Sequence, residues 1–344
     1  MKQTVLNEEF YMSLKQLPKP HYPFPDFIHP DFQQQREEYY TWIDTEYIIH
    51  SKEAREKHKK HQLADIASRG CPFLKTIAEL RPLANYTANG AMMDDYFDRC
   101  SRDEMYRITN RIMALVTGEN PIEPAENGIF HLFWVLRQDA IKCEIPERIY
   151  EKFTRSMKDV FVGYAEEKVY YRTNTIPPLS MYLLIREETS GVKPYCYYVA
   201  LQKEYRNLPD DVFDHPFIKR IYALSSLMIG IHNDIISLPK ELSREGDTMN
   251  LVKVLQQEKK ISLTQAYEKA LELHDNYLEE FLLLQKNLPY FDTFQELVYD
   301  YVQDIGIMIA GVYAWHTNDT FRYMNGGYVE GEYPTQRKKE MGSF

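Results

Sequence analysis

A chain of 344 residues that is 44% hydrophobic and 14% aromatic has the material for a large core and is not a disordered segment. Its formal charge of −10 argues against a general nucleic-acid binder, which would present a basic face. Cys71, Cys100, Cys143 and Cys196 are scattered and form no CxxC pair or dense framework, so reduced thiols in a cytoplasmic protein are expected.

Residues 1–30 contain Pro18, Pro20, Pro23, Pro25 and Pro30, which deny this segment a long helix. With Tyr22, Phe24 and Phe27 among them, the segment is expected to be ordered by packing across the body. Covering the mouth of a site and plain surface packing both remain open. From Asp31 onward, long stretches without glycine alternate with breakers: Gly70-Cys71-Pro72, Gly118 to Pro124, Thr175 to Pro178, Thr189-Ser190-Gly191, Leu208 to Asp211 and Gly246-Asp247. Alternating β-branched runs are few, so strands are not expected. The N-terminus lacks a basic region followed by an apolar run, so no signal peptide is expected. The longest apolar stretch, Ile305 to Trp315, is too short to span a bilayer and reads as a buried core helix. Residues 324–344 read as a frayed polar tail. The pattern predicts an all-α, single-domain bundle of ten or more helices over residues 31–323, around a central cavity.

Two polar motifs interrupt apolar helical stretches. In Asp94-Asp95-Tyr96-Phe97-Asp98, Asp94 and Asp98 stand one turn apart and share a helix face. Alone, such a cluster is as well explained by a solvated acidic face, but Ala84 to Met93 ahead of it is almost uncharged. The second motif, Asn233-Asp234-Ile235-Ile236-Ser237-Leu238-Pro239-Lys240-Glu241, steps Asn233, Ser237 and Glu241 along one face by i, i+4, i+8. Each alone reads as a satisfied core polar group; together they read as a ligand set. Carboxylate, amide and hydroxyl oxygens with no imidazole or thiolate suit Mg²⁺, which bridges carboxylates to substrate phosphates. Two such shelves suggest a diphosphate held between two helices, and Mg²⁺ reconciles an anionic substrate with an acidic chain. Pro239 is expected to kink the second helix between Ser237 and Glu241. His232 and His316 read as structural.

On these motifs the chain resembles class I terpene synthases of the microbial type, the single-domain terpene cyclases. The resemblance runs from about residue 60 to 323. It implies that Asp94, Asp98, Asn233, Ser237 and Glu241 bind Mg²⁺, three ions in all, and that Arg186 senses diphosphate. It further implies that Thr189 and Ser190 are the linker and effector of a helix break, and that Lys240, Arg322 and Tyr323 bond diphosphate. Trp315 resembles the aromatic residue lining the cyclisation cavity, although its gap to Arg322 is one residue longer than the family pattern. The implied activity is ionisation and cyclisation of a prenyl diphosphate to a cyclic terpene hydrocarbon or alcohol. No nucleic-acid partner and no stable membrane insertion are expected, and the chain is expected to be a monomer or homodimer. Ala88, Gly90 and Ala91, below the first motif, would deepen the cavity and lean the substrate toward a C20 geranylgeranyl rather than a C15 farnesyl chain. A linear prenyl diphosphate synthase would carry a second aspartate-rich motif in place of Asn-Ser-Glu. A carboxylate-bridged di-iron bundle needs Glu-x-x-His pairs, and none of the ten histidines has one. A catalytically inactive helical protein that binds diphosphate is the non-enzymatic alternative.

Overall fold

The computed structural model describes residues 8–47, 49, 51–97, 100–126, 128–243, 247–324 and 327. Asp98 and most of the C-terminal tail therefore lie outside the described residues. Among the described residues the chain is helical throughout, with no strand. In order come α1 (Glu8–Lys15), α2 (Phe32–Thr45), α3 (Lys52–Lys59), α4 (Asp65–Gly70) and α5 (Ile77–Phe97). There follow α6 (Arg102–Val116), α7 (Ile129–Lys142), α8 (Glu147–Thr173), α9 (Leu179–Thr189) and α10 (Lys193–Val199). The last five are α11 (Asp210–Phe213), α12 (Pro216–Leu242), α13 (Leu251–Lys259), α14 (Leu263–Lys286) and α15 (Gln295–Ala314), which passes into a π turn over Trp315–Asp319. Breaks fall at Gly70-Cys71-Pro72, Gly118 to Pro124, Thr175 to Pro178, Thr189-Ser190-Gly191 and Leu208 to Asp211, whereas those after α2, α3 and α13 contain neither glycine nor proline.

Helix α12 is the axis. His215 caps its start, accepting from Phe217 N, and Pro216 occupies the first turn, where a missing N–H costs nothing. From Phe217 to Pro239 nearly every side chain is buried, against α9, α13, α14 and α15. By length and composition it could cross a membrane, and it is longer than the Ile305 to Trp315 stretch that stood out in the sequence. It is the core helix of the bundle, with 83% of its most apolar stretch buried. Pro239 lies only three residues from the helix end, so the helix runs on to Leu242 and the expected kink does not separate Ser237 from Glu241.

Helix α5 packs against α2, α4, α7 and α8. Its buried amides are satisfied in sequence: Asn89 Nδ2 donates to Asn85 Oδ1, and Asn85 Nδ2 to the Leu132 carbonyl, each at 2.7 Å. Helix α15 lies so close to α4 that a Cβ on Gly311 would run into the Arg69 carbonyl oxygen. The N-terminal segment is more than surface cover. Helix α1 precedes the prolines, Phe24 packs edge-on against Phe281 of α14, and Tyr22 is inserted among His232, His274 and Tyr313.

Candidate active site

One cavity of about 870 Å³, counting its open mouth, lies between α5, the α9–α10 break, α12 and the end of α15. Asp94, Arg186, Ser190, Asn233, Trp315, Arg322 and Tyr323 reach it together, so six of the predicted polar positions face one space. Gly90 and Ala91 also line it, whereas Ala88 is buried in the surrounding core. Ser237, Lys240 and Glu241 continue along α12 beyond the cavity wall.

The hinge of the site is Asn233. Its Oδ1 accepts from Arg186 Nη2 at 2.7 Å; its Nδ2 reaches Tyr323 Oη and His316 Nε2, each at 2.9 Å. Arg186 also donates to the Gly230 carbonyl at 3.1 Å and pairs with Asp234 at 2.7 Å. A side chain at Gly230 would crowd the Arg186 stem, so this glycine admits the arginine to α12. Taken alone, Arg186 reads as a partner for Glu187 or Glu188, but Lys193 bridges both glutamates and leaves Arg186 turned inward. One turn on, Ser237 Oγ donates to Glu241 Oε1 at 2.6 Å, and Asn250 donates to Glu241 Oε2 at 2.8 Å. Lys240 stands over the Tyr323 ring at 5.8 Å.

On the facing wall, Asp94 pairs with Lys168 of α8 at 2.9 Å, and Asp95 accepts from Arg322 at 2.8 Å. Burial would raise the Asp94 carboxyl, but Lys168 outweighs it and holds the group below the ordinary aspartate range. Glu167 shows the opposite balance: burial pushes it up to about 7, against the pull of Lys168. Asp234, fully buried, is likewise pushed up to about 6 by burial, opposed by Arg186. Burial drives His316 down to about 3 and His232 well below its ordinary value, so both rings are neutral.

Ser190 closes the end of α9, its N–H donating to the Arg186 carbonyl, with the left-handed Gly191 next in the break. Trp315 lines the cavity edge while donating to the Gln62 carbonyl at 2.8 Å. Lys168, Asp234 and Asn250 were not predicted. Asn250 carried a readable signal, since it caps α13 by accepting from Val252 N. Lys168 carried none, because a charge beside Glu167 does not reveal which side is buried, and Asp234, inside the second motif, gave no sign that its partner is Arg186.

Among the described residues, no three His, Cys, Asp or Glu side chains converge as a ready-made metal cage. The donors on offer are one carboxylate with a hydroxyl and an amide on α12, and the partly exposed Asp94 opposite. All are hard oxygens, so the set fits a divalent cation that keeps part of its water shell.

The fold recurs in terpene synthases of known structure. An α-eudesmol synthase superposes with a TM-score of 0.74 at 22% identity, over 87% of this chain and 99% of that one. A hedycaryol synthase in complex with nerolidol gives 0.70 at 17% identity, over 87% and 99%. Pentalenene synthase of Streptomyces avermitilis is 28% identical over 308 residues, 86% of this chain and 90% of the relative. The (+)-T-muurolol synthase, (2E,6E)-farnesyl diphosphate cyclizing, of Roseiflexus castenholzii is 26% identical over 292 residues, 83% and 85% of the two chains. The family described as terpene synthase family 2, C-terminal metal binding, matches residues 86–280. This chain belongs to that family and is a class I terpene synthase of the microbial type, a lyase acting on prenyl diphosphates.

Proposed function

We propose that the enzyme ionises and cyclises farnesyl diphosphate with Mg²⁺ as cofactor. The observation that carries this reading is the single cavity onto which Arg186, Asn233, Arg322 and Tyr323 face opposite Asp94. In this reading Asp94, Asn233, Ser237 and Glu241 hold metal, with Asp98 as a further ligand of the first motif. Mg²⁺ bound there supplies positive charge to the departing diphosphate. Arg186, Lys240, Arg322 and Tyr323 donate hydrogen bonds to its oxygens, where negative charge accumulates as the allylic C–O bond breaks and its electron pair leaves with oxygen. The carbocation left behind is shielded from water by apolar wall residues, and Tyr86, Tyr164 and Trp315, which line the same cavity, are assigned its stabilisation. Ser190, at the break after Arg186, is assigned the effector position, coupling diphosphate capture to that wall.

The C15 choice departs from the C20 lean of the sequence. It is supported by the farnesyl diphosphate named for the Roseiflexus castenholzii relative and by Ala88, which does not deepen the cavity. Purified protein incubated with Mg²⁺ and C10, C15, C20 or C25 prenyl diphosphate should release terpene only from the C15 substrate, detected by mass spectrometry of the extract. Turnover of C20 alone refutes the chain-length assignment, and turnover without a divalent cation refutes the cofactor.

A further inference from the structure

Behind Asn233 a row of buried groups runs from the site to the surface. His316 Nδ1 lies 2.9 Å from the Val312 carbonyl oxygen and 3.2 Å from His232 Nε2. His232 Nδ1 is 2.7 Å from the Tyr22 hydroxyl, which is 2.7 Å from His274 Nε2. His274 Nδ1 ends the row, 3.0 Å from the exposed Asp275 carboxylate. Four parts of the fold contribute: the N-terminal segment, α12, α14 and the π turn after α15.

The two ends of the row fix where its hydrogens lie. A carbonyl oxygen can only accept, so the hydrogen of neutral His316 is on Nδ1, shared between Val312 and His232. The Nε2 lone pair is then left for Asn233. At the far end His274 Nδ1–H donates to Asp275, which makes His274 Nε2 the acceptor for Tyr22. Tyr22 accepts from His232 Nδ1–H, and His232 Nε2 accepts from His316. One assignment satisfies every group, with each hydrogen pointing away from the site.

We infer that His316 is a positioning residue: braced by Val312 and by the His232–Tyr22–His274 row, it sets the Asn233 amide so that Oδ1, and not the NH₂ group, is presented to Arg186 and to metal. The other tautomer would aim an N–H at Asn233 and flip the amide. Its nitrogen would then face the Arg186 guanidinium, two donors in opposition, and a metal ligand would be lost. Tyr323, which accepts from Nδ2, supports the same orientation. This role rests on the reading of Asn233 as a metal ligand. Outer partners of metal ligands are typically worth about 10–100-fold in metal affinity.

The test titrates the full chain with Mn²⁺ in the presence of inorganic diphosphate, free Mn²⁺ being read by electron paramagnetic resonance. His316→Leu should weaken Mn²⁺ binding by about 10–100-fold. His316→Gln, whose Oε1 reaches the position of Nε2 and accepts the same hydrogen, should restore most of it, which a merely space-filling role would not require. Nitrogen-15 histidine spectra of the unsubstituted, metal-free protein should show His316 protonated on Nδ1 and bare on Nε2. That measurement decides even where His316→Leu does not fold. A hydrogen on His316 Nε2 overturns the inference, as does a folded His316→Leu that binds Mn²⁺ normally while Asn233→Ala does not. If Asn233→Ala also binds Mn²⁺ normally, the metal-ligand reading of Asn233 is overturned, and the role of His316 with it.

Discussion

Replacing Asp234 by alanine should damage the protein more than any substitution in the aspartate-rich motif. The carboxylate is fully buried, accepts from the Tyr182 hydroxyl and from Leu251 N at 2.7 Å, and forms an ion pair with Arg186, also at 2.7 Å. Alanine would leave a buried guanidinium without its counter-charge, although Asn233 and Gly230 still bond it. Removing one partner of a buried ion pair costs about 3–5 kcal/mol. The Tyr182 and Leu251 donors lose their acceptor in the same substitution, which places the expected loss toward the upper end. Urea unfolding with an unchanged slope measures it directly. In an Arg186→Met background the same Asp234→Ala change should cost distinctly less, because the orphaned charge is gone. A loss below about 1 kcal/mol for the single variant would show that the pair contributes no more than an exposed one, and would refute the anchoring role assigned to Asp234.

Glu241→Gln should abolish turnover of the C15 substrate while leaving the unfolding midpoint near that of the parent, since Asn250 and Ser237 can still bond the amide; substantial residual activity would remove Glu241 from the metal set. Burial first, and then nearby Arg322, pushes the His58 imidazole down to about 4, so the native state stays neutral while the unfolded chain takes up a proton below about 6.5. Stability from this group is therefore complete above that value and lost as pH falls toward 4, by about 3 kcal/mol. His58→Gln should flatten this part of the pH profile in urea titrations, and parallel profiles would contradict it. Gly311→Ala should destabilise by about 1–3 kcal/mol, because a Cβ there meets the Arg69 backbone rather than a yielding side chain. An unchanged melting temperature would mean that α4 moves freely against α15.

The alignment of polar side chains along α12 was legible because helical spacing carries it. The i, i+4, i+8 run of Asn233, Ser237 and Glu241 needs no tertiary information, and it places Ser237 against Glu241. Many helix boundaries followed from glycine and proline, but those after α2, α3 and α13 carry neither and were not legible. What stayed hidden were long-range partners. Nothing near Lys168 reveals that it meets Asp94, and nothing near Tyr22 reveals that it reaches His232 and His274. Such contacts join side chains by way of the whole topology, and spacing along one helix cannot encode them. Pro239 leaves Ser237 and Glu241 in reach of each other because it stands near the helix end, which spacing alone did not show.

Two adjacent residues, Arg322 and Tyr323, take hold of opposite walls, the first through Asp95 on α5 and the second through Asn233 on α12. A dipeptide that grips both sides makes them thermodynamically conversant. Loosening one changes what the other can gain, so lesions in the two motifs should combine with a measurable interaction energy instead of summing.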